Sequence, residues 1–201
     1  MISSGTNEFD EGNMSKVKLG KKLPPMAMPV VLVGANVKGK ANFCTLAWVT
    51  MMEDEPPLIG LVMGKKRRTK DGMLENGTFS VNIPSASMVR ATDYCGIRTG
   101  ARTDKSQVFD IFYGELGTAP MISEAPITAE CRLKEIVLFH GTDLIIGEVN
   151  EVYADKKVIS KAKVDLGKVD PLLYALGGGP YFSLGPKVAK AFSVGKGYKK
   201  K

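Results

Sequence analysis

The chain has 201 residues, of which 44% are hydrophobic, and a formal net charge of +7 at pH 7. That length suits one domain with short extensions, and the apolar share is enough for a true core. No apolar run approaches the roughly 20 residues needed to span a bilayer, and Cys44, Cys95 and Cys131 are too few and too scattered for a disulfide scaffold or a structural zinc site, which fits a reducing cytoplasm.

The opening, MISSGTNEFDEGN, lacks the charged and apolar regions of a signal peptide. Residues 1–15 read as a mobile extension. Residues 16–22 and 29–33 follow as short β-like runs, and 36–40 reads as a tight turn around Gly39. Residues 41–51, rich in Thr, Val, Trp and Phe, predict one long strand. Residues 57–63 predict a buried strand after the Pro56-Pro57 break. A helix is predicted over 70–76, with Thr69 as its N-cap and Gly77 at its C-terminal end. Residues 78–83 alternate like a strand. Helices are predicted over 86–94 and 104–113. Residues 126–139 and 144–153 predict a long hairpin turning at 140–143, and 158–164 one more strand. The sum is a mainly β protein, a closed barrel with short peripheral helices. Residues 16–196 form its single domain, and 197–201 a basic tail.

The positive charge is unevenly spread. From Pro171 to Lys201 there are six lysines and no acids, so the rest of the chain sums to +1. A basic tail can hold nucleic acid without specificity, but no helix-turn-helix, zinc-finger or aromatic RNA-binding pattern accompanies it. Nucleic acid and membrane are therefore not the expected partners. Gly34–Ala41, GANVKGKA, nearly matches a nucleotide-hydrolase phosphate loop. It lacks the Ser or Thr that would hold magnesium, and a β-like run follows where a helix is required. A hydrolase triad is equally unsupported, since His140 is the only histidine. No dinucleotide-binding Gly-x-Gly-x-x-Gly is present either.

The segment KKRRTKDGMLENGTFSVNIP, from Lys65 to Pro84, carries the strongest chemical signal. It places Lys65, Lys66, Arg67, Arg68 and Thr69 between a strand end and a helix start. Guanidinium groups match phosphate oxygens with paired, charge-assisted hydrogen bonds. The first backbone N–H groups of a helix add partial positive charge at the same point. Such a clamp suits the phosphate of a cofactor. Arg68, next to Arg67 in extended chain, is expected to point elsewhere.

The runs NFCTLAWVT, RRT, NGTFSVNIP, TGARTDK and IIGEV occur in an order and spacing that resemble the flavin reductase-like family. The ending DPLLYALGGGPYFSLG is most similar to its flavoredoxin branch. The likeness runs from about residue 24 to about residue 196. It implies a split β-barrel that binds FMN, forms a homodimer and transfers electrons. The donor would be NADH or NADPH, bound transiently, or a redox partner protein. An NAD(P)H-dependent flavin reductase, an electron carrier that does not use NAD(P)H, and a flavin-free binding protein on the same barrel all remain open.

The resemblance also assigns residues. It directs Arg67 and Thr69 to the FMN phosphate and makes Lys105 a second cation near the flavin, where a solvated helix-start lysine is the alternative. Asn42 and Trp48, six apart on one predicted strand, would share a face. Asn42 would hydrogen-bond the flavin, and Trp48 would either lie beside it or pack in the core. Thr45 and Thr50 are weaker candidates. Asn82 would order a loop or touch the ribityl chain, and Tyr181 and Phe182 would close over the ring. No side chain is expected to be catalytic, because the flavin carries the chemistry. His140 departs from the branch's pattern, in which histidine follows Gly-Thr. Here it precedes Gly141, so either it still reaches the flavin or Thr142 or Asp143 takes its place.

Overall fold

The computed structural model describes residues 16–176 and 179–199. The expected extension over residues 1–15 lies outside them. The strands are β1 (Ala27–Pro29), β2 (Val31–Val37), β3 (Lys40–Leu46), β4 (Val49–Asp54) and β5 (Pro57–Gly64). Helix α1 (Arg68–Asn76) leads to β6 (Thr78–Ile83), and a 3-10 turn, Ala86–Met88, to α2 (Val89–Ile97). Then come β7 (Ile111–Phe112), β8 (Met121–Ile122), β9 (Ile127–Leu138) and β10 (Thr142–Ala154). The chain finishes with β11 (Ile159–Ser160), β12 (Lys163–Val164), α3 (Leu166–Val169), β13 (Leu173–Ala175) and β14 (Tyr181–Phe182).

Seven strands form one antiparallel sheet in the order β3-β2-β6-β9-β10-β5-β4. Its edge strands, β3 and β4, are separated in the chain by only Ala47 and Trp48. Three Cα–Cα steps reach about 11 Å at most. The sheet must therefore curl until its edges meet, and the amide of Val62 donates to the Trp48 carbonyl at this corner (2.9 Å). Bulges where β9 meets β10, at Ile146/Gly147 and Val149/Glu151, supply bending.

Side chains on β2 and β3 alternate between two cores. Val31, Val33, Ala35, Cys44 and Leu46 face the barrel interior with Leu61, Met63, Phe79 and Ile145. Leu32, Ala41 and Phe43 face the other way, onto Cys95, Phe109 and Ile122. Burial on both faces explains why these strands read as apolar runs rather than as clean alternation. The β2–β3 turn has positive φ at both Lys38 and Gly39, as a two-residue hairpin of this twist requires.

Helix α1 closes one end of the barrel. Met73 joins the interior core, and the Asn76 amide donates to the Asn36 carbonyl on β2 (2.7 Å). Gly72 makes the close approach possible. A Cβ there would lie 2.3 Å from the Asn36 carbonyl oxygen. Gly77 is left-handed, φ 67°, and caps the helix as expected.

Five expectations need correction. Residues 16–22 form no strand. Val17 and Leu19 there remain exposed. Residues 41–51 form two strands, because the chain crosses from one sheet edge to the other at Ala47–Trp48. The strand period linking Asn42 to Trp48 is therefore interrupted. Thr69 is not the N-cap of α1. That position is Arg67, and no side chain caps the helix. Residues 104–113 are not helical. Asp104 accepts hydrogen bonds from the backbone N–H and hydroxyl of Ser106, a local alternative to helix, and β7 follows. Residues 158–164 split into a small hairpin, β11–β12, around the positive φ of Lys161 and Ala162. Among the described residues, no helix is long and apolar enough to cross a membrane.

Replacing Gly72 with alanine tests the seat of α1. Helix propensity alone would favour alanine by about 1 kcal/mol. The Asn36 clash should win, with net destabilisation of roughly 1–3 kcal/mol in urea unfolding. A stabilised variant would show that α1 does not sit this close to β2.

Candidate functional site

The last residues of β5, the start of α1, the 97–100 segment and the β9–β10 turn surround a cavity of about 590 Å³. Six cations line it, namely Lys65, Lys66, Arg67, Arg68, Arg98 and Lys105, and no carboxylate is among the described residues that do so. Asn42, Cys44, Thr69, Thr99, Gly100, His140 and Gly141 complete most of the wall.

Several of these cations are held by neutral groups. The Arg67 guanidinium donates to the Gly96 carbonyl at 2.9 Å. Lys105 is 2% exposed. Its ammonium donates to the carbonyls of Phe43 (2.9 Å) and Cys95 (2.8 Å), and burial lowers its pKa from the ordinary lysine value. Lys105 is therefore a strut between β3 and α2 with one N–H left over, not a solvated lysine at a helix start. Arg98 lies over the Tyr94 ring, 5.8 Å from its centroid. Arg68 lines the cavity too, against the expectation that it points away, while pairing with Asp71 at 2.7 Å.

Thr69 is buried, and its hydroxyl oxygen accepts from the Asn42 amide at 2.7 Å. Its side chain also hydrogen-bonds Cys44. Gly100 packs against the same Asn42, since a Cβ there would fall 2.2 Å from Asn42 Oδ1. Asn42 thus braces β3, α1 and the 99–103 turn together. The Lys70 N–H donates to the Arg67 carbonyl at 3.1 Å, and because α1 has no side-chain cap, the N–H groups of Arg68 and Thr69 before it remain available to an anion. Cys44, on the same face of β3 as Asn42, is buried, and burial pushes its thiol pKa up.

The β9–β10 turn is fixed by charge. Buried Asp143 pairs with Lys70 and lies 3.9 Å from Lys65. That pairing seats the turn over α1 and brings His140 and Gly141 to the cavity wall. Asp143 itself is committed to these lysines.

A smaller cavity of about 240 Å³ shares Arg67 and Ile97 with the first. It is lined also by Thr45, Asp93, Tyr174 and Tyr181. Thr45 donates to the Thr92 carbonyl. The Tyr181 hydroxyl donates to Asp93 at 2.9 Å, and burial followed by this carboxylate pushes its pKa up to about 12.

The structure therefore gathers Asn42, Arg67, Thr69 and Lys105 around one cavity, and Thr45 and Tyr181 around its neighbour. Four other expected residues line neither. Asn82 spends its amide on the Leu32 carbonyl and the Ser80 hydroxyl and its oxygen on the Ile122 N–H, which orders β8. Thr50 is exposed and donates to the adjacent Met51 carbonyl. Trp48 stands at the barrel corner, 38% exposed, and Phe182 is exposed on β14. Arg98, Thr99 and Cys44 were not singled out from the sequence. Arg98 was the most findable, as it immediately precedes the TGARTDK run.

The sequence matches the "Flavin reductase like domain" over residues 23–181. The chain belongs to the flavin reductase-like family, and its mainly β split barrel is the fold of that family's solved members. Flavoredoxin from Methanosarcina acetivorans is 41% identical, with a TM-score of 0.87 over 91% of this chain and 98% of that one. Flavoredoxin of Desulfovibrio vulgaris (Miyazaki F) is 32% identical, with a TM-score of 0.84 over 90% and 100%. An FMN-binding protein from Thermus thermophilus is 26% identical, with a TM-score of 0.74 over 88% and 99%. A curated Escherichia coli relative, the uncharacterized protein YddH, is 28% identical over 80% of this chain and 88% of its own length. Family and fold are those of flavin-binding redox proteins.

Lys105→Met should leave the Phe43 and Cys95 carbonyls without their buried donor. The loss, partly offset by removing a desolvated charge, should destabilise the protein by roughly 2 kcal/mol in urea unfolding. An unchanged midpoint would mean that water serves those carbonyls equally well.

Proposed function

We propose that the chain is a cytoplasmic FMN-dependent oxidoreductase acting as a homodimer, with NADH or NADPH as a transient electron donor. The observation that carries this reading is the cation-lined cavity at the uncapped start of α1. A phosphate monoester carries nearly two negative charges at neutral pH, and this cavity offers the charges to meet it. Arg67, Thr69 and the first N–H groups of α1 would hold the phosphate. The remaining cavity, within the 300–1,000 Å³ usual for cofactor pockets, accommodates the rest of the cofactor. The exposed Trp48, Met51 and Met52 at the sheet edge support the dimer.

When bound, FMN supplies hydride and single-electron transfer. The chain's own residues bind, orient and polarise. Asn42 holds the Thr69 hydroxyl at the cavity wall. Lys105 and Arg67 keep positive charge at the wall without moving a proton. The raised pKa of Cys44 keeps its thiol protonated at neutral pH. With no dinucleotide fingerprint in the sequence, the nicotinamide docks beside the flavin only for the transfer.

Arg67→Ala and Thr69→Val should each weaken FMN binding about tenfold, as expected for roughly 1.5–3 kcal/mol per charge-assisted contact. Riboflavin, lacking the phosphate, should bind wild type and variants alike in fluorescence-quenching titrations. Equal losses for both ligands would remove the phosphate from this cavity.

An electron-carrier role is the second reading. It draws on the likeness to two flavoredoxins and on the exposed Lys187, Lys190, Lys196 and Lys199, which would dock an acidic partner. Anaerobic stopped-flow mixing with NADH and NADPH separates the two. Rapid bleaching of bound FMN is expected for the oxidoreductase, and its absence would favour the carrier.

A further inference from the structure

Two basic segments of the chain leave one small sheet. In it β13 lies between β1 and β14, with Ala27 opposite Ala175 and Phe182 opposite Leu173. Neighbouring strands lie about 4.8 Å apart, so the segment entering β1 and the segment leaving β14 start roughly 10 Å from each other. Read alone, the basic tail has no companion, and no membrane is expected. The fold supplies the companion. Residues 16–26 carry Lys16, Lys18, Lys21 and Lys22, and no acid lies between Glu11 and Glu53. Residues 183–199 carry Lys187, Lys190, Lys196 and Lys199, and no acid follows Asp170.

Large apolar side chains are interleaved with these lysines and lie outside both cores. Val188 is 97% and Phe192 99% exposed, and Val194 and Tyr198 are exposed with them. Val17, Leu19 and Leu23 are exposed on the other segment. The amides of Val194, Lys196 and Tyr198 donate to the carbonyls of Lys190, Ser193 and Gly195 (3.1, 3.1 and 3.2 Å). The tail therefore folds locally while its apolar side chains stay in water, and a run of such side chains marks an interaction site.

The lysines require an anionic occupant. A second copy pressing the same face against this one would set lysine against lysine, which is unfavourable. Nucleic acid would meet the lysines through its phosphates but leave Val188 and Val194 in water. A bilayer with anionic headgroups satisfies both kinds of side chain. Lysine ammoniums reach the headgroups on long apolar stems, and the apolar side chains enter the acyl boundary. It also demands no shape match, which suits two segments without regular strand or helix. We propose that residues 16–26 and 183–199 form a docking face for an anionic phospholipid bilayer, on which the protein lies peripherally.

The test is co-sedimentation of the full chain with vesicles of phosphatidylcholine alone and of phosphatidylcholine mixed with phosphatidylserine, at low and high salt. One variant is Lys187→Glu/Lys190→Glu/Lys196→Glu/Lys199→Glu. The other is Val188→Ser/Phe192→Ser/Val194→Ser. None of these residues lines the two cavities described above, and an unchanged urea midpoint checks that each variant folds. Wild type should bind the mixed vesicles at least about tenfold more tightly than the neutral ones, and high salt should remove most of that preference. Each variant should bind the mixed vesicles about tenfold or more weakly than wild type. Equal affinity of wild type for both vesicles, or for neither, overturns the proposal. An apolar variant that binds like wild type also overturns it, because charge alone then explains the attraction. Sedimentation velocity adds a last check. A dimer lost in the apolar variant, with no vesicle binding by wild type, assigns the tail to a second copy and overturns the bilayer.

Discussion

Cations held in place by neutral carbonyl oxygens are the constraint around which this site is organised. Arg67 rests on the Gly96 carbonyl, and Lys105 on those of Phe43 and Cys95. A carboxylate partner would fix the same side chains but cancel their charge. Carbonyl dipoles fix them and leave the charge uncancelled. Two like charges held near one another, with one of them buried, are costly by themselves. Structures keep such costs where a ligand offsets them, and the ligand whose charge would offset this one is an anion.

That arrangement depends on how the barrel closes. The two-residue crossing from β3 to β4 forces the sheet to curl, and α1 then fills the open end, seated by Gly72 and Asn76 against β2. This puts the start of α1 beside Asn42 on β3. The ion pair between Asp143 and Lys70 brings the β9–β10 turn to the same rim. Paired charges thus do the positioning at Asp143, while Arg67 and Lys105, held by carbonyl oxygens, keep uncancelled charge at the cavity wall. The division allows a rigid wall and a positive interior to coexist.

The parts of the fold that local chemistry dictates were legible. Gly39 and Gly77 marked turns because left-handed backbone favours glycine, and 78–83 matched its strand because β-branched and apolar residues alternate there. The failures have a common form. The 41–51 run has uniform β propensity, yet its chain changes sheet edges midway, which no local pattern records. The 104–113 run has helical composition, yet Asp104 turns onto Ser106. Asn82 left two roles open, ordering a loop or touching the ribityl chain, and its three hydrogen bonds inside the protein give it the first.

The sequence by itself determined the β character of the chain, the family, and the cluster of cations in Lys65–Thr69 at the junction of β5 and α1, since charge density and strand-to-helix order are properties of contiguous residues. Only the tertiary structure decided which cations share a cavity, that Lys105 is a buried strut, that Arg98 and His140 reach the rim, and that two basic segments leave one small sheet. Those facts arise from segments distant in the chain, and their meeting depends on sheet closure and helix seating rather than on any neighbour in sequence.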